Sequence, residues 1–205
     1  MNYFVTAIGT DSGKTIVSAI LTEALQADYW KPIQSGKENR DVETVARLIN
    51  NGHSFCYEES YLFSNAISPH AAAKEEGVTI DLAKILLPQN GGNSIVIEGA
   101  GGVLVPLNEN DFVIDIAVKF DAEIILVSNN YLGSINHTLL TIQELKRRNV
   151  TVKGIIFNGL SNPETENIIL KKSGYRCLLR ILPEKIINQE MVMHYAIKLF
   201  ENWDE

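Results

Sequence analysis

Cysteine is scarce in this chain of 205 residues: Cys56 and Cys177 stand far apart, and neither belongs to a C-x-x-C pair. That pattern argues against a disulfide framework and against a cysteine zinc site, and it fits the reducing cytoplasm. Long apolar runs are missing as well. No segment approaches the roughly 18 residues that a membrane span requires. The amino terminus enters a β-rich run directly, without the basic stretch of a secretory leader, so no membrane association is expected. Positive charge is in deficit, with 18 Lys and Arg against 25 Asp and Glu and a net charge of −7. The basic runs Lys146-Arg147-Arg148 and Lys171-Lys172 are short and fall on expected helices, which makes nucleic acid an unexpected partner. Neither a Pro/Gly/Ser-rich linker nor a repeat interrupts the chain, and residues 1–205 read as one domain.

What is present begins near the amino terminus. The run Val5-Thr6-Ala7-Ile8 breaks into Gly9-Thr10-Asp11-Ser12-Gly13-Lys14-Thr15, after which an apolar helical pattern starts. Strand, small-residue loop and helix in that order form a phosphate cradle. Amides of Asp11, Ser12 and Gly13 and of the helix start can point at phosphate oxygens, Lys14 adds a mobile charge, and the Thr15 hydroxyl suits Mg²⁺. The spacing departs from G-x-x-x-x-G-K-[ST], because Gly9 lies one residue too near Gly13 and Ala7 one too far.

Short β-branched runs alternate with helical periodicity along the rest of the chain. Strands are expected at 3–8, 29–33, 94–98, 123–128, 152–157 and 176–180, and helices at 14–27, 41–50, 79–88, 111–120, 133–149, 163–173 and 189–202. The stretch 51–78 has weak periodicity and should supply loops and one short helix. Strands apolar on both faces, alternating with helices, imply an α/β fold: a doubly wound, mainly parallel sheet with helices on both faces, P-loop NTPase-like, with ligands at the carboxyl ends of the strands.

Unusual polar residues fall at those strand ends. Lys31 follows an apolar run and precedes Pro32-Ile33-Gln34-Ser35-Gly36; in isolation it also fits a snorkelling surface lysine, but beside a second lysine in a phosphate site it can neutralise a transferring phosphoryl group. Glu98 ends the buried run Ile95-Val96-Ile97 and opens Gly99-Ala100-Gly101-Gly102, read as a loop that lets backbone amides approach an anion. A buried carboxylate needs a cation, and the Mg²⁺ that Thr15 would also touch is the obvious one. Asp41 opens a helix, where in isolation it fits an ordinary first-turn acid, and only the other metal candidates raise it to a ligand. Asn158 can pair with the edge of adenine or simply form an Asn-Gly turn, and position leaves both open.

In this order the motifs resemble the dethiobiotin synthetase family over almost the whole chain. The residues that carry the resemblance are the phosphate loop with one extra residue, Lys31-Pro32 with Ser35-Gly36, Asn39 with Asp41, Ser68-Pro69-His70, Glu98 to Gly102, Leu132-Gly133 with Ile135-Asn136-His137, and Asn158. The resemblance implies ATP as co-substrate and Mg²⁺ held by Thr15, Asp41 and Glu98. It implies that Lys14, Lys31 and Ser35 are the catalytic set and that Asp11 lies near substrate amines and phosphates. It places Asn158 and Pro183 beside the base, and Ser35, Gly99, Gly101, Gly102 and Asn136 on the substrate. It further implies ring closure of diaminopelargonic acid with CO₂ through a carbamate and a carbamic-phosphoric anhydride, in a homodimer whose sites lie at the interface. Two positions depart from the pattern: Ala7 replaces a usual glycine, and Arg180 stands where glycine commonly precedes the segment near the base. A ParA/MinD-like switch would carry a lysine five residues before Lys14, where this chain has Gly9, and a cobyrinic acid type synthetase would require a glutaminase domain that is not expected within residues 1–205.

Overall fold

The computed structural model describes residues 1–203. In chain order it runs β1 (Asn2–Ala7), α1 (Lys14–Leu25), β2 (Asp28–Trp30), β3 (Ile33–Ser35), α2 (Asp41–Leu48), β4 (Cys56–Tyr57), β5 (Tyr61–Phe63), α3 (Pro69–Glu75), a 3₁₀ turn (Leu82–Lys84), β6 (Ile95–Gly102), α4 (Val113–Lys119), β7 (Glu123–Asn129), α5 (Ser134–Arg147), β8 (Val152–Asn158), α6 (Pro163–Ser173), β9 (Cys177–Ile181) and α7 (Gln189–Glu201). Seven strands form one sheet in the order β4-β2-β6-β1-β7-β8-β9, and every pairing in it is parallel. The helices therefore cover both faces. Side-chain alternation divides the core accordingly: Tyr3, Val5, Ile125 and Val127 pack toward α1, α2 and α7, while Phe4, Ile124 and Leu126 pack toward α3, α4, α5 and α6. The chain leaves β1 for β2 on one side and leaves β6 for β7 on the other, so a crevice opens at the carboxyl ends of β1, β2 and β6.

Three expectations change. The run 29–33 is not one strand: proline has no N–H for a ladder, and the chain breaks at Lys31-Pro32. Ile33–Ser35 then pairs with Tyr61–Phe63 in a separate two-stranded parallel sheet. Residues 79–88 do not form a helix either. Pro88 disfavours helical backbone before it, and the carbonyls of Leu82, Ala83 and Ile85 instead accept from Lys119 Nζ at 2.6, 3.2 and 2.7 Å. Ile80 and Ile85 anchor this segment in the core as extended chain. Finally, the glycines after Glu98 continue β6 through Gly102, with a bulge between the pairs Val5–Glu98 and Ala7–Gly102. The weakly periodic stretch 51–78 holds α3, as expected of one short helix, and also β4 and β5. No helix among the described residues is long and apolar enough to cross a membrane.

Candidate active site

The loop after β1 is shaped by two left-handed residues, Asp11 (φ 55°) and Gly13 (φ 90°). Gly13 is required twice over: a Cβ there would be strained and would also overlap the Asn158 amide. Asn158 Nδ2 donates to the Ser12 carbonyl at 2.9 Å, Ser12 Oγ to the Gly9 carbonyl at 3.2 Å, and Lys14 Nζ to the same carbonyl at 3.4 Å. Gly13 caps α1 without a side chain, which leaves the first helical amides available to an anion. Burial holds the Lys14 ammonium below the ordinary lysine range, partly offset by the charge of Glu98.

Beside the loop, four polar side chains converge: Thr15 of α1, Asp41 of α2, Glu98 of β6 and Lys31 from the segment after β2. Thr15 Oγ1 donates to Asp41 Oδ1 at 3.0 Å and lies 3.1 Å from Glu98 Oε1. Lys31, just past β2, pairs with Asp41 and lies 3.2 Å from Glu98 Oε1. Burial opposes charge on Lys31, but the two carboxylates outweigh it and hold the ammonium above its ordinary range. Hydroxyl and carboxylate oxygens on a common point are hard donors, and they fit Mg²⁺ completed by water or phosphate oxygens. No cluster of three or more His, Cys, Asp or Glu suited to a metal occurs among the described residues.

These groups border a cavity of about 700 Å³, together with Asp11, Ser35 and Gly101. Ser35 Oγ is buried with no hydrogen-bond partner within the described residues, which leaves it available to a ligand. An adjoining hollow of about 490 Å³ reaches α5 at His137, Thr141 and Glu144, and Thr10, Ser68 and Val105 border both. Gly102 lines the second hollow. Gly99 lines neither; its missing side chain is explained by packing, since a Cβ would sit 2.9 Å from Phe4 and 3.1 Å from Val113. Pro183 lies exposed beyond β9. Asn136 lies exposed in the first turn of α5, where Gly133 is the cap, so Asn136 does not cap its own helix. Arg180 borders neither cavity and donates to the buried Glu166 at 2.6 Å.

Two members of the site escape a reading of the sequence. Tyr29 donates its hydroxyl to Glu98 Oε2 at 2.9 Å, and burial followed by the Glu98 charge pushes the phenol well above its ordinary value. Gln34 Oε1 accepts from the Asp41 amide at 3.3 Å and so fixes the start of α2. For Tyr29 the signal is its two-residue spacing from Lys31; for Gln34 it is a polar residue in a short run with buried Ile33.

Residues 1–191 match the model of a family described as an AAA domain. The chain is 63% identical over 203 residues to an ATP-dependent dethiobiotin synthetase of Cytophaga hutchinsonii, covering 99% of this chain and 98% of that protein. It is 46% identical over 198 residues to the enzyme of the same name from Christiangramia forsetii, covering 96% and 95%. Among solved structures, the septum site-determining protein MinD of Pyrococcus horikoshii, complexed with Mg-ADP, superposes with a TM-score of 0.63 at 17% identity, covering 100% of this chain and 97% of that one. A ParA family ATPase of Chlorobium tepidum does so with a TM-score of 0.58 at 14% identity, covering 98% and 95%. At those identities the likeness is one of fold.

Proposed function

The chain belongs to the ATP-dependent dethiobiotin synthetase family, and from that membership we propose that it closes a cyclic urea on 7,8-diaminopelargonic acid with CO₂ and ATP. It does so in the cytoplasm, as one domain over residues 1–205, in a homodimer. The amides of the phosphate loop, with Ser12, Gly13 and Lys14, hold the ATP phosphates, and Asn158 and Pro183 border the base. Thr15, Asp41 and Glu98 hold Mg²⁺, whose charge neutralises phosphate oxygens when it is bound. Asp11 and Ser35 lie beside the reacting amines and phosphates, Gly101 and Gly102 admit the substrate close to the backbone, and Asn136 of the partner subunit meets its carboxylate.

One amine adds to CO₂ and releases a proton, giving a carbamate. A carbamate oxygen then attacks the γ-phosphorus as the bond to ADP breaks. The second amine attacks the activated carbonyl carbon and gives up a proton, and the C–O bond to phosphate breaks as the ring closes, releasing inorganic phosphate. Lys31 and Lys14 oppose the negative charge that moves between carbamate, γ-phosphate and leaving ADP. All the nucleophiles are substrate atoms, so the chain has to position groups and balance charge. The observation that carries this reading is the buried Lys31 ammonium among Thr15, Asp41 and Glu98, at the rim of a cavity that also holds Lys14 and the unpartnered Ser35 hydroxyl. Release of ADP should require the diamine and bicarbonate together, with dethiobiotin formed in equal amount. ADP release that ignores both would point instead to a nucleotide switch.

A further inference from the structure

Glu98 has two carboxylate oxygens in different surroundings. Oε1 faces Thr15 Oγ1 at 3.1 Å and Lys31 Nζ at 3.2 Å, whereas Oε2 accepts from the Tyr29 hydroxyl at 2.9 Å. Tyr29 pairs in register with Val96 on β6, so Glu98, two residues further along, projects from the same face of the sheet. Both residues are buried: Tyr29 is 0% exposed and Glu98 1%. Packing alone would accept phenylalanine at this position, among Val17, Leu21, Val45 and Val96. The hydroxyl therefore has a purpose that packing does not supply.

We propose that Tyr29 is a positioning residue for the cation site: by engaging one oxygen of Glu98 it makes the carboxylate present its other oxygen, singly, beside Thr15. The inference rests on the assignment of Glu98 as a metal ligand. The terminal torsion of a glutamate is broad and roughly two-fold, so without the phenol either oxygen, or both, can turn toward the cation. Removing the hydroxyl also strands Oε2 in the core without a donor. Partners that orient a metal ligand typically change metal affinity by about 10- to 100-fold when lost.

The test uses Mn²⁺ as a paramagnetic probe, titrated into the full chain with ADP held fully bound and followed by electron paramagnetic resonance. Tyr29→Phe should weaken Mn²⁺ binding by about 10-fold or more. ADP binding in the presence of a chelator should stay unchanged, which a merely structural defect would not allow. In a Glu98→Gln background the Tyr29→Phe change should add nothing. Wild-type Mn²⁺ affinity in Tyr29→Phe overturns the inference when Glu98→Gln is weakened. If Glu98→Gln also binds Mn²⁺ normally, the metal assignment itself fails. Should Tyr29→Phe not fold, the wild-type chain decides: Mg²⁺ added to the ADP complex should perturb the near-ultraviolet absorption of a tyrosine, and Glu98→Gln should abolish that change. No perturbation in the wild type overturns the proposal.

Discussion

Lys31 is 6% exposed, and its ammonium contacts both Asp41 and Glu98, so its charge is locally balanced before any substrate arrives. Charge on the carbamate and γ-phosphate oxygens changes most during transfer, and an ammonium beside them acts mainly in the transition state. Lys31→Gln should accordingly lower kcat by about 100-fold or more while ATP binding without diamine changes little. Single-turnover kinetics with equilibrium ATP binding separates the two, and a collapse of ATP binding would make Lys31 a ground-state phosphate ligand. Lys14→Ala should behave differently. Lys14 opens α1 and is only 8% exposed, but its ammonium is held there at a desolvation cost that a methyl group does not carry, so the fold should persist while ATP affinity falls, as a calorimetric titration would register; unchanged affinity would remove the phosphate assignment. At this scale Lys31 and Glu98 stood out as candidates because charged residues at the ends of apolar runs need a reason to be there, and Lys14 and Thr15 because they close a small-residue loop between strand and helix; Asp41, an ordinary acid at a helix start when taken alone, drew its reading only from the others. Tyr29 was not, since an aromatic residue in a β-rich run reads as core until its hydroxyl partner is seen.

Between elements, the buried Glu166 of α6 ties three segments together. It accepts from Asn130 Nδ2 and the Asn162 amide at 3.0 Å each and from Arg180 Nε of β9 at 2.6 Å. Burial opposes ionisation of Glu166, but Arg180 and the amide donors outweigh it and hold the carboxyl below the ordinary 4.5. A carboxylate with a depressed folded-state value contributes stability that is present above the unfolded value and lost as pH falls through the folded one. Arg180→Ala should therefore reduce stability at pH 7 by about 1–2 kcal/mol, a figure discounted for the half-exposed guanidinium. Its melting temperature should then fall less steeply than that of the wild type as pH drops below 4.5; parallel decline of the two curves would show that the pair is not linked to folding. The alternation of strands and helices was legible because strands covered on both faces must be apolar throughout. Residues 79–88 misled because Leu82, Ile85 and Leu86 imitate helical spacing, whereas Pro88 and the reach of Lys119 from α4 decide the backbone, and the latter is a long-range contact.

The arrangement of the whole molecule follows from the crossover rules for parallel sheets, and it brings residues as distant in sequence as Thr15 and Glu98 to one crevice. Sheet order itself was not legible, because apolar strands of similar length carry no mark of their neighbours. Asn136, like Gly99 and Pro183, borders neither cavity. Asn136 lies exposed on α5 beside exposed Leu132 and Ile135, while exposed Leu104 and Leu140 border the second hollow. An uncovered apolar surface next to the cavity is what a second subunit would bury. Chains carrying Lys31→Ala and chains carrying Asn136→Ala should each be inactive and should regain activity when mixed under conditions of subunit exchange, because a heterodimer then holds one site with both residues intact. No recovery despite demonstrated exchange would assign Asn136 to its own subunit.

The central claim is that a carbamate oxygen attacks the γ-phosphate, and the fate of oxygen reports on it directly. In a short turnover of ATP and diaminopelargonic acid with ¹⁸O-labelled CO₂, too brief for exchange with water, one labelled oxygen should appear in each inorganic phosphate and the other in the ureido carbonyl, read by mass spectrometry. Phosphate released without label, alongside labelled dethiobiotin, would contradict the anhydride route and with it the role given to Lys31.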